Sequence, residues 1–161
     1  MKEIKLTQGK VALVDDEDYE EINKYKWCAH KGKNTFYAFR HIKTVDNQWT
    51  SVQMHREILK QSEHLLTDHK DSNGLNNRKS NLRACTDQEN CRHSVKKRGI
   101  CSSIFKGVTW HNQIQRWRAY IMSDYHQVSL GCYASETEAA HAYDVAAKDL
   151  FGEFALLNFN T

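Results

Sequence analysis

Three short stretches of this sequence carry side chains able to do chemistry together: Asp68-His69, Asn81-Leu82-Arg83 and Gln88-Glu89-Asn90. Asp68 is a hard oxygen donor suited to Mg²⁺ or Mn²⁺. Asn90 supplies a second, neutral oxygen. A cation held this way would bind a phosphate oxygen and offset charge on a leaving 3′-oxygen. His69, of a residue type whose ordinary pKa is ~6.5, is the natural general base for an attacking water. On one strand, neighbouring side chains point to opposite faces, so this single dipeptide can serve both metal and water. Asn81 is placed either to hold the imidazole or to bridge the loop by side-chain hydrogen bonds. The chemistry such a set could perform is metal-assisted phosphodiester hydrolysis.

Those residues need a strand, a long loop, a second strand and a helix. His64-Leu65-Leu66-Thr67 leads into Asp68-His69 as a strand end, and the polar run Lys70 to Ser80 is a loop rich in Asn. Asn81 to Cys85 reads as the second strand. Thr86-Asp87-Gln88-Glu89 is a capping box opening a helix with Asn90 and His93. Before this core, Glu3–Thr7 and Lys10–Val14 flank Gln8-Gly9 as a hairpin, and Thr35–Lys43 pairs with Gln48–Met54. The acidic run Asp15 to Asp18 reads as a helix start rather than a metal site. Trp27, Phe36, Tyr37, Phe39 and Trp49 are expected to fill that module's core.

After the core, Lys96-Lys97-Arg98-Gly99 marks a basic linker. Strands follow near Ile104–Trp110, Arg116–Met122 and Gln127–Tyr133, then a capping box at Ser135 to Glu138. Ala139, Tyr143, Ala146, Ala147 and Leu150 form one apolar helical stripe, closed by Gly152. The expected organisation is 1–53, a strand-rich module; 54–95, the catalytic core; 96–103, a linker; and 104–161, a three-stranded antiparallel sheet on one helix. The fold class is α+β.

Composition narrows the function classes. The 161 residues carry 23 Lys+Arg against 20 Asp+Glu. Residues 51–100 hold 10 basic and 6 acidic groups, so positive charge concentrates beside the candidate centre, where it suits a polyanion. No apolar run approaches the ~20 residues of a membrane span. Met1 to Lys5 lacks the apolar core of a secretory signal. Five cysteines without a framework spacing fit reduced thiols. A cytoplasmic protein without a membrane partner or a small-molecule cofactor is expected.

The motif set, with 12 residues from His69 to Asn81 and 21 from His69 to Asn90, resembles the HNH nuclease motif in its phage homing-endonuclease form. Asn73-Gly74-Leu75-Asn76-Asn77-Arg78 matches as well. The resemblance implies a ββα-metal core with His69 as general base, Asp68 and Asn90 as metal ligands and Asn81 as the structural asparagine. Some members have histidine at the Asn90 position; its absence here favours Mg²⁺ or Mn²⁺ over Zn²⁺. His55 is read as a packing or DNA-backbone residue, and His93 as a solvent or phosphate contact.

Phe105-Lys106-Gly107-Val108, Trp117-Arg118-Ala119, Leu130-Gly131 and Glu138 to Asp144 resemble the plant ethylene-response-factor (APETALA-type) DNA-binding domain. That resemblance implies a sheet lying in the major groove of double-stranded DNA. Alternation turns Arg116, Arg118, Tyr120 and Met122 outward, and the family pattern adds Lys106, Thr109, Gln127 and Ser129. The expected activity is metal-dependent DNA cleavage guided by this sheet. A catalytically inactive DNA-binding regulator is the rival.

Overall fold

The computed structural model describes residues 1–62, 64–96 and 101–159. It divides into two compact units, Met1–Asp87 and Gln88–Thr161. Helices and several small antiparallel sheets are interspersed in both, an α+β architecture.

In the first unit, β1 (Lys2–Lys5) and β2 (Val11–Val14) form the expected hairpin. Gln8 and Gly9, at φ 62° and 65°, turn the chain between them. The acidic run opens α1 (Asp16–Ile22), where carboxylates complement the exposed amides of a helix start. Next come β3 (Cys28–Lys31), β4 (Phe36–Lys43) and β5 (Trp49–Gln53), ordered β3-β4-β5. α2 (Met54–Leu59) follows directly, then the antiparallel pair β6 (Leu66–His69) and β7 (Leu82–Cys85).

One core serves all of this. Ile4, Val14, Ile22, Trp27, Ala38, Met54, Ile58 and Leu82 belong to a single buried cluster. Residues on both sides of the expected 53/54 boundary thus bury one another's apolar surface, and the packing boundary lies at Asp87/Gln88 instead. Arg40 of β4 anchors α2: it donates to both Glu57 carboxylate oxygens at 2.9 and 3.0 Å while its guanidinium stacks 3.8 Å over Tyr25. Trp49 corrects the expected core list. It is 68% exposed on edge strand β5, beside the Lys43 ammonium. Phe36, Tyr37 and Phe39 are only half-buried.

The second unit takes up α3 (Asp87–Arg92) from Gln88 onward, then β8 (Val108–His111), β9 (Arg116–Ser123), β10 (His126–Tyr133) and α4 (Glu136–Phe151). The sheet order is β10-β9-β8. Asp124 and Tyr125, both left-handed, make the β9–β10 turn. The Ser135–Glu138 capping box is formed in both directions. Val108, Ala119, Ile121, Ala139, Ala140, Tyr143 and Ala147 are the buried layer between sheet and helix. Gly107 fits there because a Cβ would come 2.0 Å from the Tyr143 ring.

The expected linker 96–103 is partly structural. Lys96 Nζ donates to the carbonyls of Ser103, Phe105 and Val108, and burial lowers its pKa; residues 97–100 lie outside the described residues. At the other end, the Asp144 carboxylate accepts from the Asn158 and Phe159 amides and Asn158 Nδ2, at 2.8–3.0 Å. Asn158 bonds both the amide and the carbonyl of Lys106 in turn. Asp144→Ala leaves these donors unmet in a buried setting. It should lower stability by about 3 kcal/mol in thermal or urea unfolding, whereas Asp149→Ala on the exposed side of α4 should stay within about 0.5 kcal/mol.

Candidate functional site

β6 and β7 present the chemistry-bearing residues in cross-strand register: Asp68 faces Arg83 and His69 faces Leu82. Opposed residues of an antiparallel pair share a face, so Asp68 and Arg83 stand together on one side. Arg83 donates to Asp68 Oδ2 from Nε at 2.8 Å and from Nη2 at 2.6 Å, both side chains being nearly buried. His69 points to the other side and is 5% exposed.

The loop from Lys70 to Asn81 is held by its own amides. Asn81 Nδ2 donates to Asp71 Oδ1 at 2.9 Å and to the Asn76 carbonyl at 2.8 Å, while its Oδ1 accepts from the Asp71 amide. Asp71 also accepts from the Asn73 amide and from Asn76 Nδ2. Burial pushes the Asp71 carboxyl up, but these hydrogen bonds outweigh it and its pKa is lowered. Of the two placements open to Asn81, the structure takes the loop bridge. The imidazole is held by another residue.

That residue is Asn77, fully buried, whose Oδ1 lies 3.2 Å from His69 Nε2. Its Nδ2 faces Met54 Sδ and the Leu75 carbonyl, each at 3.4 Å, which fixes the amide with its oxygen toward His69. Nε2 of His69 is therefore the N–H donor, and the lone pair sits on Nδ1. Burial lowers the His69 pKa, with the Asn77 bond and the charges of Asp71 and Asp68 opposing. Asn77 in turn is fixed by the N-terminal hairpin: its amide donates to the Leu13 carbonyl, and the Leu13 amide donates to the Leu75 carbonyl, both at 2.8 Å.

Two further rings complete the site. His55 of α2 lies edge-on to His69, centroids 5.1 Å apart, and Tyr37 of β4 lies 5.9 Å from His69 and 6.0 Å from His55. Gly74 lets the loop close on Tyr37, because a Cβ there would come 2.6 Å from the ring. Burial, then the Asp68 charge, raises the Tyr37 pKa. Neither Asn77 nor Tyr37 was singled out from sequence for this centre. Asn90 sits half-buried on α3 and His93 is buried just beyond it, both in the second unit.

In that unit the outward sheet face follows the β-ladder. Thr109, Arg118 and Cys132 align in one row across the strands, His111 with Arg116, Tyr120 with Ser129, and Met122 with Gln127. Arg116, Gln127 and Ser129 are exposed, and Thr109, Arg118 and Tyr120 half-buried. Lys106 departs from its expected place on this face. Its ammonium donates to the Arg92 and Ser94 carbonyls, and burial lowers its pKa to about 8. His111 shares this face.

Residues 103–153 match the AP2 domain family. Over 157 residues the chain is 31% identical to a protein named as an uncharacterized HNH endonuclease of Acanthamoeba polyphaga mimivirus, spanning 94% of this chain and 76% of that one. It is also 45% identical over 60 residues to an AP2-like ethylene-responsive transcription factor of Arabidopsis thaliana, and 38% over 84 residues to one of Oryza sativa subsp. japonica. These matches cover 36% and 49% of this chain, but only 12% and 13% of the plant proteins.

Acidification tests the buried rings. Burial, then the neighbouring His69 and Arg56, lowers the His55 pKa to about 3, so the folded protein refuses a proton that the unfolded chain accepts below ~6.5. His55 thus contributes stability that is complete above pH 6.5 and is lost on acidification toward pH 3, by up to ~1.4 kcal/mol per pH unit. Urea unfolding at pH 7 and pH 5 should differ by about 2 kcal/mol more in wild type than in His55→Asn.

Proposed function

Because the chain belongs to the HNH endonuclease family and carries an AP2 domain, we propose that it is a divalent-metal-dependent DNA endonuclease whose C-terminal sheet reads the target. The observation that carries this reading is the fixed tautomer of His69, whose Nε2 is held by Asn77 and whose Nδ1 keeps its lone pair, one residue along the strand from a carboxylate.

In this reading His69 Nδ1 takes a proton from water as its oxygen bonds to phosphorus. The P–O3′ bond breaks, and the departing 3′-oxygen takes a proton from solvent, leaving a 5′-phosphate and a 3′-hydroxyl. Asn77 holds the ring in place throughout, and Asn81 and Asp71 keep the loop from collapsing onto it. Arg83 holds the Asp68 carboxylate in place from the facing strand.

The donor chemistry fits a hard cation. Asp68, whose Oδ2 is paired with Arg83, offers a carboxylate, and Asn90, the second ligand implied by the family resemblance, an amide oxygen. Among the described residues no three His, Cys, Asp or Glu side chains group as a metal site, whereas Mg²⁺ keeps several waters and asks for only one or two carboxylates. When bound, Mg²⁺ or Mn²⁺ would supply charge stabilisation for the phosphate and leaving oxygen. The AP2 sheet supports double-stranded DNA as the partner, with Thr109, Arg116, Arg118, Tyr120, Gln127 and Ser129 as its contact face. A homing-type role is the biological form of this reading.

Nicking of supercoiled plasmid with and without Mg²⁺ is the direct test. His69→Ala should lose about 10²–10⁴-fold in cleavage rate while binding DNA as before. Asp68→Ala should lose Mg²⁺-dependent cleavage more completely than Asn90→Ala, because only the carboxylate brings formal charge. Binding without any cleavage in Mg²⁺ would select the inactive regulator instead.

The recognition face gives a separate expectation. Arg118→Ala should weaken binding by about 1–3 kcal/mol if it reads a base edge, and by a similar factor on every sequence if it meets phosphate. Affinity measured on a cleaved and an unrelated duplex at two salt concentrations separates the two. Unchanged affinity would remove this sheet from the interface.

A further inference from the structure

His55 holds an unmet demand at the centre just described. Its Nε2 lies 3.0 Å from Gln53 Oε1, so Nε2 is the N–H donor and the lone pair belongs to Nδ1. Nδ1 is inaccessible and has no hydrogen-bond partner among the described residues, in a side chain only 5% exposed. A buried acceptor left unmet costs about 1–3 kcal/mol. Packing and the Gln53 bond leave this second nitrogen without a role. The unmet atom belongs to the ring lying edge-on against His69, with Tyr37 closing on both.

We propose that His55 is a positioning residue of the cleavage site, its Nδ1 accepting a hydrogen bond from the water that His69 activates. The inference rests on the nuclease reading and deepens it. Such a water would have His55 Nδ1 and His69 Nδ1 as its two acceptors, and a buried water needs two to four polar partners to be retained. One of its protons passes to His69 Nδ1 while the other stays in the hydrogen bond to His55. The oxygen lone pair left over is thereby oriented toward phosphorus. Burial keeps His55 neutral, so it accepts without competing for the transferred proton.

Two amide substitutions separate the nitrogens. His55→Asn places an amide oxygen near the position of Nδ1 and gives up the Gln53 bond. His55→Gln places its amide near Nε2, keeps that bond and leaves the Nδ1 position empty. The measurements are kcat and KM for plasmid nicking in Mg²⁺, beside wild type and His69→Ala, with thermal unfolding of each full-length variant. His55→Asn should stay within about 10-fold of wild-type kcat, and His55→Gln should fall about 10²-fold at unchanged KM.

Should His55→Gln not fold, His55→Leu carries the same expectation, since it fills the space without a nitrogen. The reverse order, or losses that follow unfolding temperature, would make His55 a structural residue and overturn the proposal. A wild-type protein that does not nick overturns the nuclease reading itself, and this proposal with it. A nicking wild type with an unimpaired His55→Gln variant overturns the proposal alone.

Discussion

The pair of backbone hydrogen bonds joining Leu13 to the loop, at Leu75 and Asn77, is the constraint on which the first unit depends. A loop as long as Lys70–Asn81 cannot keep a buried asparagine in register by its ends alone, because closing it fixes neither the path nor the side chains between. The hairpin strand β2 supplies a template along its edge, and Asp15 extends it by accepting the Lys79 amide at 2.7 Å. With the path fixed, Asn77 is carried between Met54 and His69, and the ring of His69 acquires one orientation. Loop, ring and tautomer are consequences of one strand edge.

The first residues of the chain are therefore part of the scaffold of the candidate site. β4 brings Tyr37, α2 brings His55 and Met54, and β2 holds the loop on which Asn77 sits. Apolar and polar groups have separate parts in this centre. Apolar packing from Trp27, Met54 and Ile58 sets the elements at fixed distances, and a small number of amides then chooses donor and acceptor at each polar atom.

Much of this was legible in the sequence where the signal is local. The Gln8-Gly9 turn, the strand–loop–strand order around Asp68 and Asn81, the Ser135 capping box and the outward alternation of β9 all declare themselves within a few residues. What was not legible depends on distant partners. Asn77 looked like one turn-former among several asparagines, and its burial comes from Leu13 and Met54. The six-residue α2 is too short for a period, and the expected strand at Gln48–Met54 ran into it. It ends at Lys60 in a left-handed conformation without the usual glycine. Residue type alone assigns Trp49 to a core, but an edge strand with only one covered face can leave an indole in water. Family position alone turns Lys106 outward, whereas in the structure its ammonium donates to the carbonyls of Arg92 and Ser94.

Lys96 bears on how such a recognition module can be moved between proteins. Its ammonium closes over three carbonyls, those of Ser103, Phe105 and Val108, and so acts as a plug at the entrance to the sheet. The sheet with its helix is therefore not a free-standing cassette that begins at residue 104. A graft that starts downstream of Lys96 would carry the strands and leave the plug behind, exposing a rosette of oxygens that water must then fill. The transferable piece begins upstream of that lysine, which sets where natural recombination or a designed chimera can make its seam.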